Sequence, residues 1–149
     1  MPDLEVNPSQ VNPSPGFRDH PEHTITVEPF GGVVNVKFRD VIIASSDRAR
    51  LLREKGHDPV LYLPFDDIYF VHLEKTANAT HCPFKGDASY WRVKGQQQAE
   101  DDVMWSYEHP YDEMTEIKDY GAFYPDRVVV DTDDESWQKR RETEVPVTP

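Results

Sequence analysis

Apolar and polar positions alternate with a period of two over Thr24–Glu28, the spacing of a strand whose two faces meet different surroundings. Val33–Phe38 and Val41–Ala44 follow as two β-rich runs separated only by Arg39-Asp40, which predicts a hairpin. Ser45-Ser46-Asp47 then supplies the chemistry of a helix N-cap. Arg48–Lys55 with Gly56 behind it predicts a short helix, although its apolar content is confined to Ala49, Leu51 and Leu52. Val60–Pro64 is the next strand, stopped by its proline. Asp66-Asp67 makes a turn before Ile68–Leu73, a strand in which Tyr69, Val71 and Leu73 share a face. Further strands are predicted over Ala88–Val93, around Trp105 and Tyr107 in Val103–Tyr107, and over Val128–Val130, with a short helix at Asp112–Ile117 opened by Asp112.

The two ends lack such a pattern. Met1 to about His23 holds five of the thirteen prolines and reads as an arm, disordered or laid over the surface, and beyond Asp131 the chain is polar with Trp137 its only large apolar residue. The expected organisation is an arm over residues 1–20, one β domain over 21–131 and a polar tail over 132–149. A chain of 149 residues can bury a core of its own without staples.

Composition removes several classes of function. A single cysteine excludes an internal disulfide and any zinc site built on cysteine pairs within one chain. No apolar run approaches the roughly 18 residues of a membrane span, and the N-terminus lacks a signal pattern, so no membrane is expected and the cytoplasm is the default compartment. A net charge of −12 with no basic stripe argues against a nucleic-acid partner, because phosphate backbones are held mostly by lysine and arginine. The adjacent Asp66 and Asp67 read as a turn and Asp131, Asp133 and Asp134 as an acidic exit to the tail, so no metal is expected; any cofactor is left open.

Candidate chemistry concentrates in Thr80-His-Cys-Pro-Phe-Lys-Gly-Asp-Ala-Ser-Tyr-Trp91. Cys82 precedes a proline and is pushed toward extended geometry, and Gly86 can take the positive φ of a reversal, so Thr80–Asp87 is expected to form a tight loop at the mouth of a sheet. Cys82 and Lys85 are the candidate nucleophiles, with His81, Asp87 or Tyr90 handling protons. Neighbours in an extended segment point apart, however, so His81 is not the obvious base for Cys82. Strand alternation puts Trp105 and Tyr107 on one face, as it does Ala88 and Tyr90 on the preceding strand, and turns Trp91 to the other side. Such polar-tipped rings beside Lys85 can wall a site for a planar or cationic ligand.

The Thr80–Trp91 block, Trp105-Ser-Tyr107, Tyr120-Gly-Ala-Phe-Tyr124 with Arg127-Val128, Ser46-Asp-Arg48 with Leu52 and Glu54, and Tyr62-Leu-Pro64 with Asp67 together resemble the signature blocks of the domain of unknown function 427 family. The resemblance runs from about Pro15 to Asp131 and implies a mostly β fold in which two antiparallel sheets meet like a tent, with one or two short helices. That fold is similar to methionine sulfoxide reductase B and the drug-binding domain of cereblon, where zinc often pins the sheets and small ligands sit between them. The lone Cys82 departs from the zinc-bearing pattern. The family is also labelled nucleotidyltransferase-like, yet the chain has no Gly-Ser followed by paired aspartates on a strand and no phosphate-cradling glycine loop. The family's blocks place Arg48, Tyr62, Asp67, Thr80, Cys82, Lys85, Tyr90, Trp91, Trp105 and Tyr107 in the site without assigning a reaction.

The expectation is therefore a small-molecule-binding domain, its ligand unidentified, with Arg48 and Lys85 as positive anchors for an anionic or carbonyl-bearing compound. The alternative is an enzyme, of covalent or nucleotidyltransferase type, that uses Cys82 or Lys85. A third reading makes the acidic ends a protein-interaction module, and edge strands leave room for a homodimer.

Overall fold

A computed structural model describes residues 12–96 and 101–133; the tail from residue 134, Trp137 included, and the first part of the expected arm lie outside the described residues. Of the described residues, 49% are in strands. The strands form two antiparallel sheets, one of seven and one of three strands, and neither closes into a barrel. The expected strands at Thr24–Glu28, Val33–Phe38 and Val60–Pro64 are β1 (Ile25–Pro29), β2 (Val34–Phe38) and β5 (Val60–Pro64). The predicted hairpin joins β2 to β3 (Val41–Ser46) through Arg39, which takes φ of 55° in the tight turn.

The helix expected over Arg48–Lys55 is instead β4 (Arg50–Glu54), laid between β1 and β5. Strand pairing wins because Leu51 and Leu52 are buried in different clusters on opposite faces of the sheet, which a single helical stripe could not arrange. Ser46 caps no helix: its hydroxyl accepts from the Arg48 N–H at 3.0 Å and donates to Asp67 Oδ2 at 2.6 Å. Ile68–Leu73 is likewise not a strand. It holds a 3-10 turn at Phe70–His72 that leads into β6 (Leu73–Cys82), a strand whose last residues, Thr80–Cys82, take up the start of the stretch expected to be loop.

β6 begins a meander: β7 (Gly86–Val93), β8 (Asp102–Ser106) and β9 (Tyr120–Phe123) follow in turn, and β9 closes onto β5. The large sheet thus has the order β1-β4-β5-β9-β8-β7-β6, and β10 (Val129–Thr132) joins the β2–β3 hairpin in the small one. A 3-10 segment at Asp112–Ile117 connects β8 to β9, and a short helix, α1 (Pro15–Asp19), precedes β1.

The alternation of the strands separates two cores. Val34, Val36, Ile43 and Ala44 of the small sheet pack against Leu51, Leu61, Leu63, Trp91, Met104 and Phe123 of the large one. The opposite face of the large sheet carries Leu52, Val60, Tyr62, Ala88, Tyr90, Trp105, Tyr107 and Ala122, and is covered by Met114 and Ile117 of the 3-10 segment with Phe17 of α1. No helix among the described residues is long and apolar enough to cross a membrane.

Candidate functional site

The face covered by Met114 and Ile117 holds most of the residues singled out in the sequence. Tyr62 comes from β5, Tyr90 from β7, Trp105 from β8, and Tyr107 follows directly after it; their side chains share one buried cluster, against which Cys82 packs. Trp105 is 0% exposed and donates its indole N–H to the Tyr62 hydroxyl at 3.1 Å, with the two rings edge to face. Tyr90 exchanges a hydrogen bond of 2.7 Å with Thr80 Oγ1 across β6 and β7, and its hydroxyl is among the groups that raise the Tyr124 phenol at the end of β9. Burial holds the Tyr62, Tyr107 and Tyr124 phenols protonated far above the ordinary tyrosine range, and neighbouring groups on the same face add to it. At neutral pH these hydroxyls are donors and acceptors, not phenolates.

The loop expected over Thr80–Asp87 is shorter than the pattern implied, because β6 and β7 pair as far as Cys82 with Gly86. Gly86 takes φ of 122°, as the reversal requires, and a Cβ there would press on the His109 carbonyl and Pro110. The turn is then clamped from outside. Gly16 N–H and the Ser14 hydroxyl both donate to the Pro83 carbonyl, at 2.8 and 3.0 Å, and the Phe84 ring meets Phe17 edge to face and His23 at a tilt.

Clamping drives Lys85 inward. It is 4% exposed, bonded to Glu54 Oε1 at 2.7 Å, and its ammonium lies 6.0 Å from the centre of the Tyr107 ring. The other oxygen of Glu54 meets His23 Nε2 at 2.9 Å. Burial alone would raise the Glu54 carboxyl, but the Lys85 charge and hydrogen bond, helped by His23 and His57, outweigh it and hold the group below its ordinary value. Lys85 is therefore engaged by a buried carboxylate and is not presented as a free side chain.

Other candidates lie elsewhere. Arg48 pairs with Asp67 Oδ1 at 3.2 Å, and Asp67 is held below the ordinary carboxylate range by the Ser46 hydroxyl and by Arg48. This cluster precedes β4 while Glu54 ends it, so the two expected cationic anchors are separated by the length of the strand, about 13 Å at 3.3 Å per residue. Both have carboxylate partners, and they do not form one anion site. Trp91 faces the small sheet, where Lys75 lies over its ring. His81 and Asp87 are a cross-strand pair on the exposed side, 2.7 Å apart, with the Tyr111 hydroxyl 3.4 Å from the other imidazole nitrogen. His81 thus turns away from Cys82, as strand alternation requires.

Sequence reasoning missed Glu54 as a site residue, His23, Tyr124 and Asp102. Glu54 stood in the blocks that carry the family resemblance, but its role follows only from the burial of Lys85, since a lysine buried in a β core demands a carboxylate. His23 and Asp102 carry no local signal, since only the docking of α1 and a bulge in β8 place them. Cys82 is the sole cysteine, and among the described residues no group of three His, Cys, Asp or Glu side chains converges to hold a metal.

A family model described as a domain of unknown function (DUF427), and labelled NTP_transf_9, matches residues 26–134. Comparison with curated proteins gives no match.

Proposed function

The chain belongs to the DUF427 family, whose description states no activity, and we propose from the site itself that the protein binds a small, largely neutral molecule on the tyrosine-bearing face of its large sheet. The observation that carries this reading is the contrast between the two faces. The face toward the small sheet is filled mainly by Val, Ile, Leu and Ala, whereas the opposite face buries Tyr62, Tyr90, Trp105 and Tyr107 and lines them with Thr80, Lys85 and Glu54. Burying a hydroxyl costs about 1–3 kcal/mol unless it finds a partner, and on this face Tyr62 is met by Trp105, Tyr90 by Thr80 and Lys85 by Glu54, which fixes their polar tips in place. Polar-tipped rings in that setting supply flat contact area together with fixed donors and acceptors. Because Lys85 is matched by Glu54, the ligand needs no full negative charge.

Thermal-shift screening against a metabolite collection tests the reading. A compound is expected to raise Tm in the wild type and to lose that effect in Tyr107→Phe and Lys85→Met, two variants that keep the bulk of the side chain. If every stabilising compound acts equally on wild type and both variants, the face is a core and the proposal fails.

A further inference from the structure

Three buried side-chain polar atoms among the described residues have no hydrogen-bond partner: Arg92 Nε, Asp102 Oδ1 and Ser106 Oγ. The first two belong together. Arg92 and Asp102 are directly opposed across β7 and β8, and Arg92 lies two residues beyond Tyr90, hence on the tyrosine face. The bulge between Trp91 and Arg92 shifts the register there, and Asp102 joins the same side. Its other oxygen, Oδ2, accepts from Asn78 Nδ2 at 2.7 Å, its carbonyl accepts from Arg127 at 2.6 Å, and its charge is among the causes that raise the Tyr124 hydroxyl. Asp102 is 6% exposed, and Arg92 is steadied through Nη2 by Glu74 at 3.4 Å.

An orphaned donor and an orphaned acceptor on opposed residues are unlike ordinary core, where each would cost about 1–3 kcal/mol. Had they been within reach of each other they would have bonded. A third group can satisfy both at once if it accepts from Nε–H and donates to Oδ1. Anions are opposed by Asp102 and cations by Arg92, so the charges select a neutral group with donor and acceptor side by side.

We infer that Arg92 and Asp102 form the polar recognition end of the ligand site, made for a neutral group such as a carboxamide that carries a hydrogen-bond donor beside an acceptor. This rests on the reading of the tyrosine face as a small-molecule site and adds the class of group that it takes.

The test is a nitrogen-15 NMR titration of the full chain with acetamide and, separately, N,N-dimethylacetamide, which keeps the acceptor and lacks the donor. The Arg92 Nε–H and Trp105 indole N–H signals report on the two ends. Acetamide is expected to shift the Arg92 signal saturably and to bind about tenfold or more tightly than its dimethyl analogue, the worth of one hydrogen bond to a charged acceptor. Asp102→Ala is expected to erase that preference, and the wild-type comparison stands even if this variant folds poorly. Equal response to both amides, or no response at Arg92, overturns the inference. If Arg92 stays silent while the Trp105 signal moves with a compound from the thermal-shift screen, the face still binds a ligand and only its polar end is refuted. Silence at both sites against every such compound refutes both.

Discussion

Lys85 and Glu54 set the energetics of the tyrosine-bearing face at the level of single residues. With Lys85 almost fully buried and Glu54 nearly so, the pair gains from Coulomb attraction what it loses in hydration, and the balance fails when one partner goes. Glu54→Gln leaves an ammonium facing the Tyr107 ring with no counter-charge, and should lower stability by about 3 kcal/mol in urea unfolding. Lys85→Met should cost less, because His23 remains beside the carboxylate. The pH dependence has a definite sign. Glu54 titrates below its ordinary 4.5 in the folded protein, so its contribution is complete above about that pH and is lost as pH falls through the lower folded value. The stability gap between wild type and Glu54→Gln should therefore be constant from neutral pH down to about 5 and narrow below 4. A gap that widens on acidification would contradict the ion-pair account. His81 offers a simpler check: it engages Asp87 and Tyr111 on the outer side of β6, so His81→Ala should leave the rate of Cys82 alkylation unchanged.

Elements show where local pattern decides and where packing overrides it. β1, β2 and β5 were legible because their alternation or β-branched content agrees with their place in the sheets, and so were the faces within single strands, Ala88 with Tyr90 against Trp91 and Trp105 with Tyr107. β4 was not, because Arg50–Glu54 has a cap-like Ser46-Asp47 before it and Gly56 after it, and only its neighbours β1 and β5 make it a strand. β6 was hidden for another reason. It is an edge strand whose residues from Glu74 to His81 are mostly exposed and polar, with a bulge between Lys75 and Ala79, so it leaves no apolar signature. The helix α1 reverses a propensity rule in the same way. Gly16→Ala would stabilise an ordinary helix by up to about 1 kcal/mol, but here the new Cβ would sit 2.6 Å from the Phe84 ring and 2.8 Å from the Pro83 carbonyl. The clash should win, lowering stability by roughly 1–3 kcal/mol and speeding proteolysis within residues 12–20. An unchanged or higher Tm for Gly16→Ala would show that α1 is not seated on the turn.

For the molecule as a whole, the two faces of the large sheet are covered by different means. One is sealed by a second sheet whose strands pair with one another; the other depends on a 3-10 segment and on residues 12–20, which are not part of either sheet. Those cover pieces are tied to each other: Asn12 N–H donates to the Asp112 carboxylate, Asp112 N–H to the Asn12 carbonyl, and Ser14 N–H to Glu113. The cover can thus loosen as a unit without breaking a sheet ladder. Removing residues 1–20 forfeits the burial of Phe17 and the bonds to Pro83, Asp112 and Glu113, which sums to roughly 2–4 kcal/mol. The loss should be uneven. Hydrogen exchange at the Trp105 indole and at the Lys85 and Gly86 amides should accelerate well before exchange at Val34 and Val36 in the small sheet. Equal acceleration everywhere would mean that the truncation lowers global stability alone, and that the tyrosine face has no cover able to open independently of the fold.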